Sequence, residues 1–101
     1  MPTINNMKEV AVTAVPQEAQ LIDVREADEF AAVHAQGAKN IPMSLFTTHM
    51  GELDTNKEIY LICKSGARSA QVQEYLAARN IEAINVAGGT EAWVAEGLPT
   101  Q

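Results

Sequence analysis

The run Ile59-Tyr60-Leu61-Ile62-Cys63 is apolar with no polar alternation, and it passes directly into Lys64-Ser65-Gly66-Ala67-Arg68 and then a helical pattern. A strand with one wet face alternates apolar and polar side chains. A strand without that alternation is buried on both faces, as in the interior of a parallel sheet covered by helices. This transition constrains the fold more than any other feature of the chain. It calls for an α/β layer structure in which Ile59–Cys63 is central. In such sheets ligands bind outside the carboxyl ends of the strands, and Cys63 stands at such an end.

The rest of the chain supplies the layers. Leu21-Ile22-Asp23-Val24 reads as a second buried strand, Glu9-Val10-Ala11-Val12 as a short first one, and Asn40-Ile41-Pro42 as a stub closed by proline. Ile81 to Val86 reads as a further strand. Helical patterns run from Glu26 to Val33, with Phe30 and Val33 on one face, and from Ser44, read as a cap, through Met50 to a stop at Gly51. Another begins at Ser69 and carries Ala70, Val72, Tyr75, Leu76 and Ala78 at helical spacing up to Asn80. After the turn Ala87-Gly88-Gly89, Thr90 reads as the cap of a last helix holding Trp93 and Val94, which Gly97-Leu98-Pro99 ends. The expected fold is α/β, a mostly parallel sheet of four to five strands with helices on both faces.

The 101 residues suit a single domain, and 47% hydrophobic with 20% charged residues is ordinary globular composition. No apolar run is long enough for a membrane span, and no basic segment followed by an apolar stretch marks an export signal, so the cytoplasm is the expected location. A net charge of −6 disfavours nucleic acid and anionic membranes as partners. An anionic substrate must then be held locally against the global charge. Cys63 is the only cysteine, so the chain has neither an internal disulfide nor a Cys-x-x-Cys motif. His34 and His49 have no metal-ligand spacing, and no metal or organic cofactor is implied.

The segment Cys63-Lys64-Ser65-Gly66-Ala67-Arg68-Ser69 joins the central strand to a helix. Successive backbone N–H groups in such a loop can converge on one point as an anion nest, the helix adds its positive end, and Gly66 permits a left-handed backbone. Lys64 and Arg68 add two cations. An ordinary cysteine, with a pKa near 8.5, is only about 3% thiolate at pH 7, and this setting should raise that fraction. Read without the loop, Cys63 would be a small buried hydrophobe. Arg68 in a first turn opposes the helix dipole, which suggests another reason for its presence.

Outside the loop, Asp23 reads as part of an ion-pair network, and Arg25 as a strand-end residue lining the crevice. His34 reads as a hydrogen-bonding loop residue, His49 as a surface residue and Trp93 as core. Gly88 and Gly89 are read as solving a backbone problem in a turn, and Glu74, Glu82, Glu91 and Glu96 as a solvated face.

Several segments in order resemble the rhodanese-like superfamily: Leu21-Ile22-Asp23-Val24-Arg25-Glu26, then Glu29-Phe30, then His34-Ala35-Gln36-Gly37-Ala38 with Asn40-Ile41-Pro42. The Cys63–Ser69 loop follows, and then Val86-Ala87-Gly88-Gly89, Trp93 and Gly97-Leu98-Pro99. The similarity covers Val10 to Pro99, with residues 1–8 matching loosely, and Val33 stands where the family usually has glycine. The resemblance implies a single-domain sulfurtransferase in which Cys63 becomes a persulfide. Sulfane sulfur would come from a small donor such as thiosulfate or another persulfide and pass to a thiol or protein-cysteine acceptor. Lys64, Ser65, Gly66, Ala67, Arg68 and Ser69 would form the substrate cradle, with Arg25 beside it. Phosphatase relatives have one more residue between cysteine and arginine than the four found here, which points away from phosphate or arsenate chemistry. Inactive binding modules usually lack the cysteine. A carrier serving one partner protein is the alternative of another class.

Overall fold

In a computed structural model, which describes residues 7–101, five strands form one sheet in the order β1-β5-β4-β2-β3. These are β1 (Glu9–Val10), β2 (Gln20–Asp23), β3 (Lys39–Asn40), β4 (Ile59–Ile62) and β5 (Ile84–Val86), and every neighbouring pair is parallel. The helices are α1 (Ala27–Ala32), α2 (Phe46–His49), α3 (Ala67–Ala77) and α4 (Gly89–Ala95). The apolar run on β4 is central, with all four of its residues buried, as its lack of alternation required.

Side chains along β4 alternate between two cores. Ile59, Leu61 and Cys63 face Ile22, Val24, Phe46, Val72 and Leu76, the side covered by α2 and α3. Tyr60 and Ile62 face Val12, Leu21, Ile84, Val86 and Trp93, the side covered by α4. Because β5 turns Ile84 and Val86 to the α4 side, Asn85 between them faces the α3 side with Cys63. Trp93 is buried, its Nε1–H donating to Pro99 O at 2.6 Å, and Gly97 at φ +71° ends α4 with Leu98 N–H donating back to Trp93 O.

Several expected elements come out differently. Only Glu9–Val10 pairs as a strand, and Val12–Ala14 is a 3-10 turn that buries Val12 under α4 instead of extending the sheet edge. Ser44 does not cap a helix. The segment is a 3-10 turn (Met43–Leu45), the single turn α2 and a second 3-10 turn (Met50–Glu52), and Ser44 Oγ donates to Glu26 Oε1 at 2.6 Å. The last strand is Ile84–Val86 rather than Ile81–Val86, because α3 closes with Asn80 at φ 60° and Ile81 N–H returning to Leu76 O. Val33 sits at φ −164°, an extended backbone open to any residue, so valine in place of glycine costs nothing there.

Candidate active site

Helix α3 begins earlier than its apolar periodicity suggests. Gly66 is its N-cap at φ 112°, and Ser69 lies inside the first turn instead of opening it. The left-handed Gly66 folds the loop back, so that its N–H donates to Cys63 Sγ at 3.1 Å. Ser69 Oγ lies 3.2 Å from the same sulfur and is fully buried. Cys63 itself is only 1% exposed. In an apolar setting such burial makes a thiol inert. Burial does push the Cys63 thiol up, but the Ser69 hydroxyl and the N–H groups of Ser69, Gly66 and Ser65 outweigh it, leaving its pKa below the ordinary value. Oriented hydrogen-bond donors thus do more for the thiolate than the flanking cations.

Helix α4 fixes the loop from the other side. Thr90 N–H and Oγ1–H both donate to Cys63 O, at 2.8 and 3.0 Å, and Glu91 N–H donates to Lys64 O at 3.0 Å. Thr90 therefore anchors the cysteine loop, and the N-cap of α4 is Gly88 at φ 78°. Gly89 makes the approach possible, since a Cβ there would stand 2.5 Å from Cys63 O. For Gly89 the backbone problem is this close contact, whereas Gly88 turns the chain at positive φ, where a Cβ would meet Ala92 Cβ at 2.6 Å.

The two cations differ. Lys64 is exposed, as are Ser65 and Ala67. Arg68 is half-buried and forks onto Glu29 of α1, Nη1–Oε1 at 2.8 Å and Nη2–Oε2 at 2.9 Å. This pairing is the reason for an arginine against the helix dipole. It pulls the Glu29 carboxyl from 4.5 to about 2, despite the opposing effect of burial, and raises the Arg68 pKa. A capping box further locks Glu29, whose Oε1 accepts Glu26 N–H at 3.1 Å.

Arg25, expected at the crevice, has a different occupation. It is buried, its Nη2–H donates to Asp23 Oδ2 at 2.8 Å and to Val33 O at 2.7 Å, and its Nε–H also reaches Asp23. Asp23, as expected, belongs to an ion-pair network, and together the pair ties the exit of β2 to the end of α1. His34 is likewise a hydrogen-bonding loop residue, with Nδ1 2.8 Å from Phe30 O and its ring stacked on Phe30. His49 is exposed beside Glu52, and Glu74, Glu82, Glu91 and Glu96 are all exposed.

Two residues of this constellation escape a sequence reading. Glu29 lies 39 positions from Arg68, and no local pattern links them. Asn85 donates from Nδ2 to Gly66 O at 3.2 Å and accepts from Ser69 Oγ at 2.5 Å. Its signal was available, since a polar side chain inside a buried strand must find partners. A cavity of about 400 Å³ is remote from this chemistry, lying between the Val12–Ala14 turn, Trp93 and Pro99 with no ionisable side chain on its walls. No helix of the described residues is long and apolar enough to cross a membrane, and no three histidine, cysteine or carboxylate side chains among them cluster as metal ligands would.

Comparison with known proteins decides the family. Residues 7–96 match the model of the rhodanese-like domain. The chain belongs to the rhodanese-like domain family. A putative sulfurtransferase of Bacillus subtilis, YtwF, is 37% identical over 92% of this chain and 96% of its own length. A sulfurtransferase of Allochromatium vinosum is 33% identical over 82% and 78%. The chain spans 62% of a further B. subtilis relative, the uncharacterized protein YqhL, at 40% identity over 76% of its own length. Among solved structures, SSP1007 of Staphylococcus saprophyticus superimposes with a TM-score of 0.82 at 34% identity, over 92% of this chain and 99% of that one.

Proposed function

We propose that this rhodanese moves sulfane sulfur by double displacement, with Cys63 as the nucleophile. The observation that carries the reading is the convergence of Gly66 N–H and the Ser69 hydroxyl on Cys63 Sγ, at 3.1 and 3.2 Å, at the carboxyl end of the central strand. The Cys63 thiolate attacks the outer sulfur of thiosulfate or of a persulfide. A new S–S bond forms, the old one breaks, and its electron pair leaves with sulfite or the donor thiolate. The resulting Cys63 persulfide carries negative charge on its outer sulfur, which the loop amides, Lys64 and Arg68 stabilise as an oxyanion hole would. Cyanide, a small thiol or a protein cysteine then attacks that sulfur and restores the Cys63 thiolate. Ser65 and Ala67 contribute backbone to the cradle, and Arg25 supports it through Asp23 without touching the donor. A lone thiol that must stay reduced fits a cytoplasmic setting.

With no second cysteine in the chain, the persulfide cannot resolve as an internal disulfide. Intact-protein mass spectrometry after thiosulfate or a small persulfide tests the reading. One added sulfur atom per chain, stable through buffer exchange and removed by cyanide or thiol, is the expected result. A chain that never carries the sulfur refutes double displacement, and one that loads but gives no turnover with small acceptors is a carrier for a partner protein.

A further inference from the structure

Asn85 is 4% exposed on β5, an inner strand, and its whole amide is engaged by the cysteine loop. Nδ2–H donates to Gly66 O at 3.2 Å, and Oδ1 accepts from Ser69 Oγ at 2.5 Å. The opposite amide orientation is excluded. It would set Oδ1 against Gly66 O, and put Nδ2 closer to Ser69 than N–H···O bonds run. A serine hydroxyl has one proton to give. Ser69 has Asn85 Oδ1 at 2.5 Å, Cys63 Sγ at 3.2 Å and Gly66 O at 3.2 Å as acceptors, and the shortest contact takes it.

We propose that Asn85 is a positioning residue of the sulfur site: by accepting the Ser69 proton it holds that hydroxyl back from Cys63. In the thiol form the S–H then donates to Ser69 Oγ, and the chain of donors runs from Cys63 through Ser69 to Asn85 and on to Gly66 O. As the sulfur gains negative charge, the hydroxyl must turn from Oδ1 to the sulfur, where a bond to a charged acceptor is stronger. Asn85 thereby opposes formation of the thiolate, since the hydroxyl must give up Oδ1 to reach the charged sulfur. The inference rests on Cys63 as the reactive sulfur. The charged groups around the loop are Lys64, Arg68, Glu29 of α1, the Asp23–Arg25 pair at the end of β2 and Glu91 of α4. All are retained in the variants below, so differences between variants isolate the hydroxyl.

The test is the pH dependence of Cys63 alkylation by iodoacetamide in the wild type, Asn85→Ala, Ser69→Ala and the double variant. Freeing the hydroxyl in Asn85→Ala should lower the apparent pKa and raise the thiolate fraction about 5- to 10-fold below it, the latter equivalent to about 1.4 kcal/mol. In the Ser69→Ala background the same replacement should change nothing. A higher apparent pKa in Asn85→Ala, or an effect that persists without Ser69, would overturn the proposal and assign Asn85 to loop shape through Gly66. Asn85→Leu, which fills the site, repeats the comparison if alanine unfolds the chain. Ser69→Ala alone should lower the thiolate fraction by about two- to fivefold, because the hydroxyl reaches the charged sulfur only by giving up Asn85 Oδ1. A tenfold loss there also overturns the proposal. Alkylation reads the thiol without any sulfur donor, so failure of sulfur loading would sink the proposed transfer and leave this cycle standing.

Discussion

Replacing Gly89 by alanine should damage the site through a contact that no side-chain rotation can relieve. The added Cβ would stand 2.5 Å from Cys63 O and 2.6 Å from both the carbonyl carbon and oxygen of Lys64, all of them backbone. The residue would also be held at φ +57°, which costs an L-amino acid about 1–2 kcal/mol. To clear the overlap α4 must retreat, stretching the bonds from Thr90 to Cys63 O and from Glu91 N–H to Lys64 O, each worth about 1 kcal/mol. The sum is about 4–5 kcal/mol. For a domain of this size about 4 °C of Tm goes with each kcal/mol at the least, so Gly89→Ala should lose about 16 °C or more by thermal denaturation. Gly97→Ala is the internal control, with φ +71° and nothing within 4 Å of the new Cβ. It pays for backbone strain alone and should lose about 1–2 kcal/mol. Gly51→Ala, with open space and no positive φ, should be close to neutral. If Gly89→Ala loses no more than Gly97→Ala, the close approach of α4 to the loop is not what requires glycine.

Other expectations are equally direct. Cys63→Ser should keep the far-UV circular dichroism spectrum and abolish both alkylation and sulfur loading, since the loop is held by backbone bonds that serine retains. Glu29→Gln should destabilise the protein at neutral pH by about 1 kcal/mol, allowing for solvent screening of a pair that is one-third exposed. The folded-state pKa of Glu29 is depressed from 4.5 to about 2, so this stabilisation is present above about pH 4.5 and lost as pH falls toward 2. The Tm curves of wild type and variant should converge over that window, and a constant gap would disprove the linkage. Arg68→Ala should slow Cys63 alkylation at pH 7 by about two- to fivefold, the scale of a partly screened charge. An unchanged rate would show that the guanidinium serves Glu29 alone.

What the sequence disclosed and what it withheld divide along physical lines. Burial of a whole strand writes itself into consecutive residues, so β4 and the core of β2 are legible in Ile59–Cys63 and Leu21–Val24. The cysteine loop is legible for the same reason, because cation, glycine and sulfur are neighbours in the chain. Helix ends are less so. Ser69 reads as the start of the helix, yet it lies inside the first turn with its hydroxyl 2.5 Å from Asn85 Oδ1, and a left-handed Gly66 with no side chain caps α3. Thr90 likewise reads as a cap and instead grips Cys63 O. Short-range pattern also fails where tertiary partners decide the matter. Residues 81–83 alternate apolar and polar like a half-exposed strand, but they complete the exit from α3 before pairing begins at Ile84. Nor does anything near Arg25 reveal that Asp23 and Val33 O take its guanidinium, or anything near Arg68 that Glu29 does.

The first strand of the sheet pairs with the last, Glu9 beside Asn85 and Val10 beside Val86. The parts that condition Cys63 come from both sides of it in the chain: Glu29 well before, Gly66 and Ser69 just after, and Asn85 and Thr90 later still. A growing chain that has extruded Cys63 but not yet β5 and α4 therefore lacks both the strand that packs Asn85 against the loop and the helix whose Thr90 grips Cys63 O. The finished loop geometry arrives with the final segments, after the long-range closure that parallel sheets complete slowly. The setting of this one thiol is thus a reporter of completed folding.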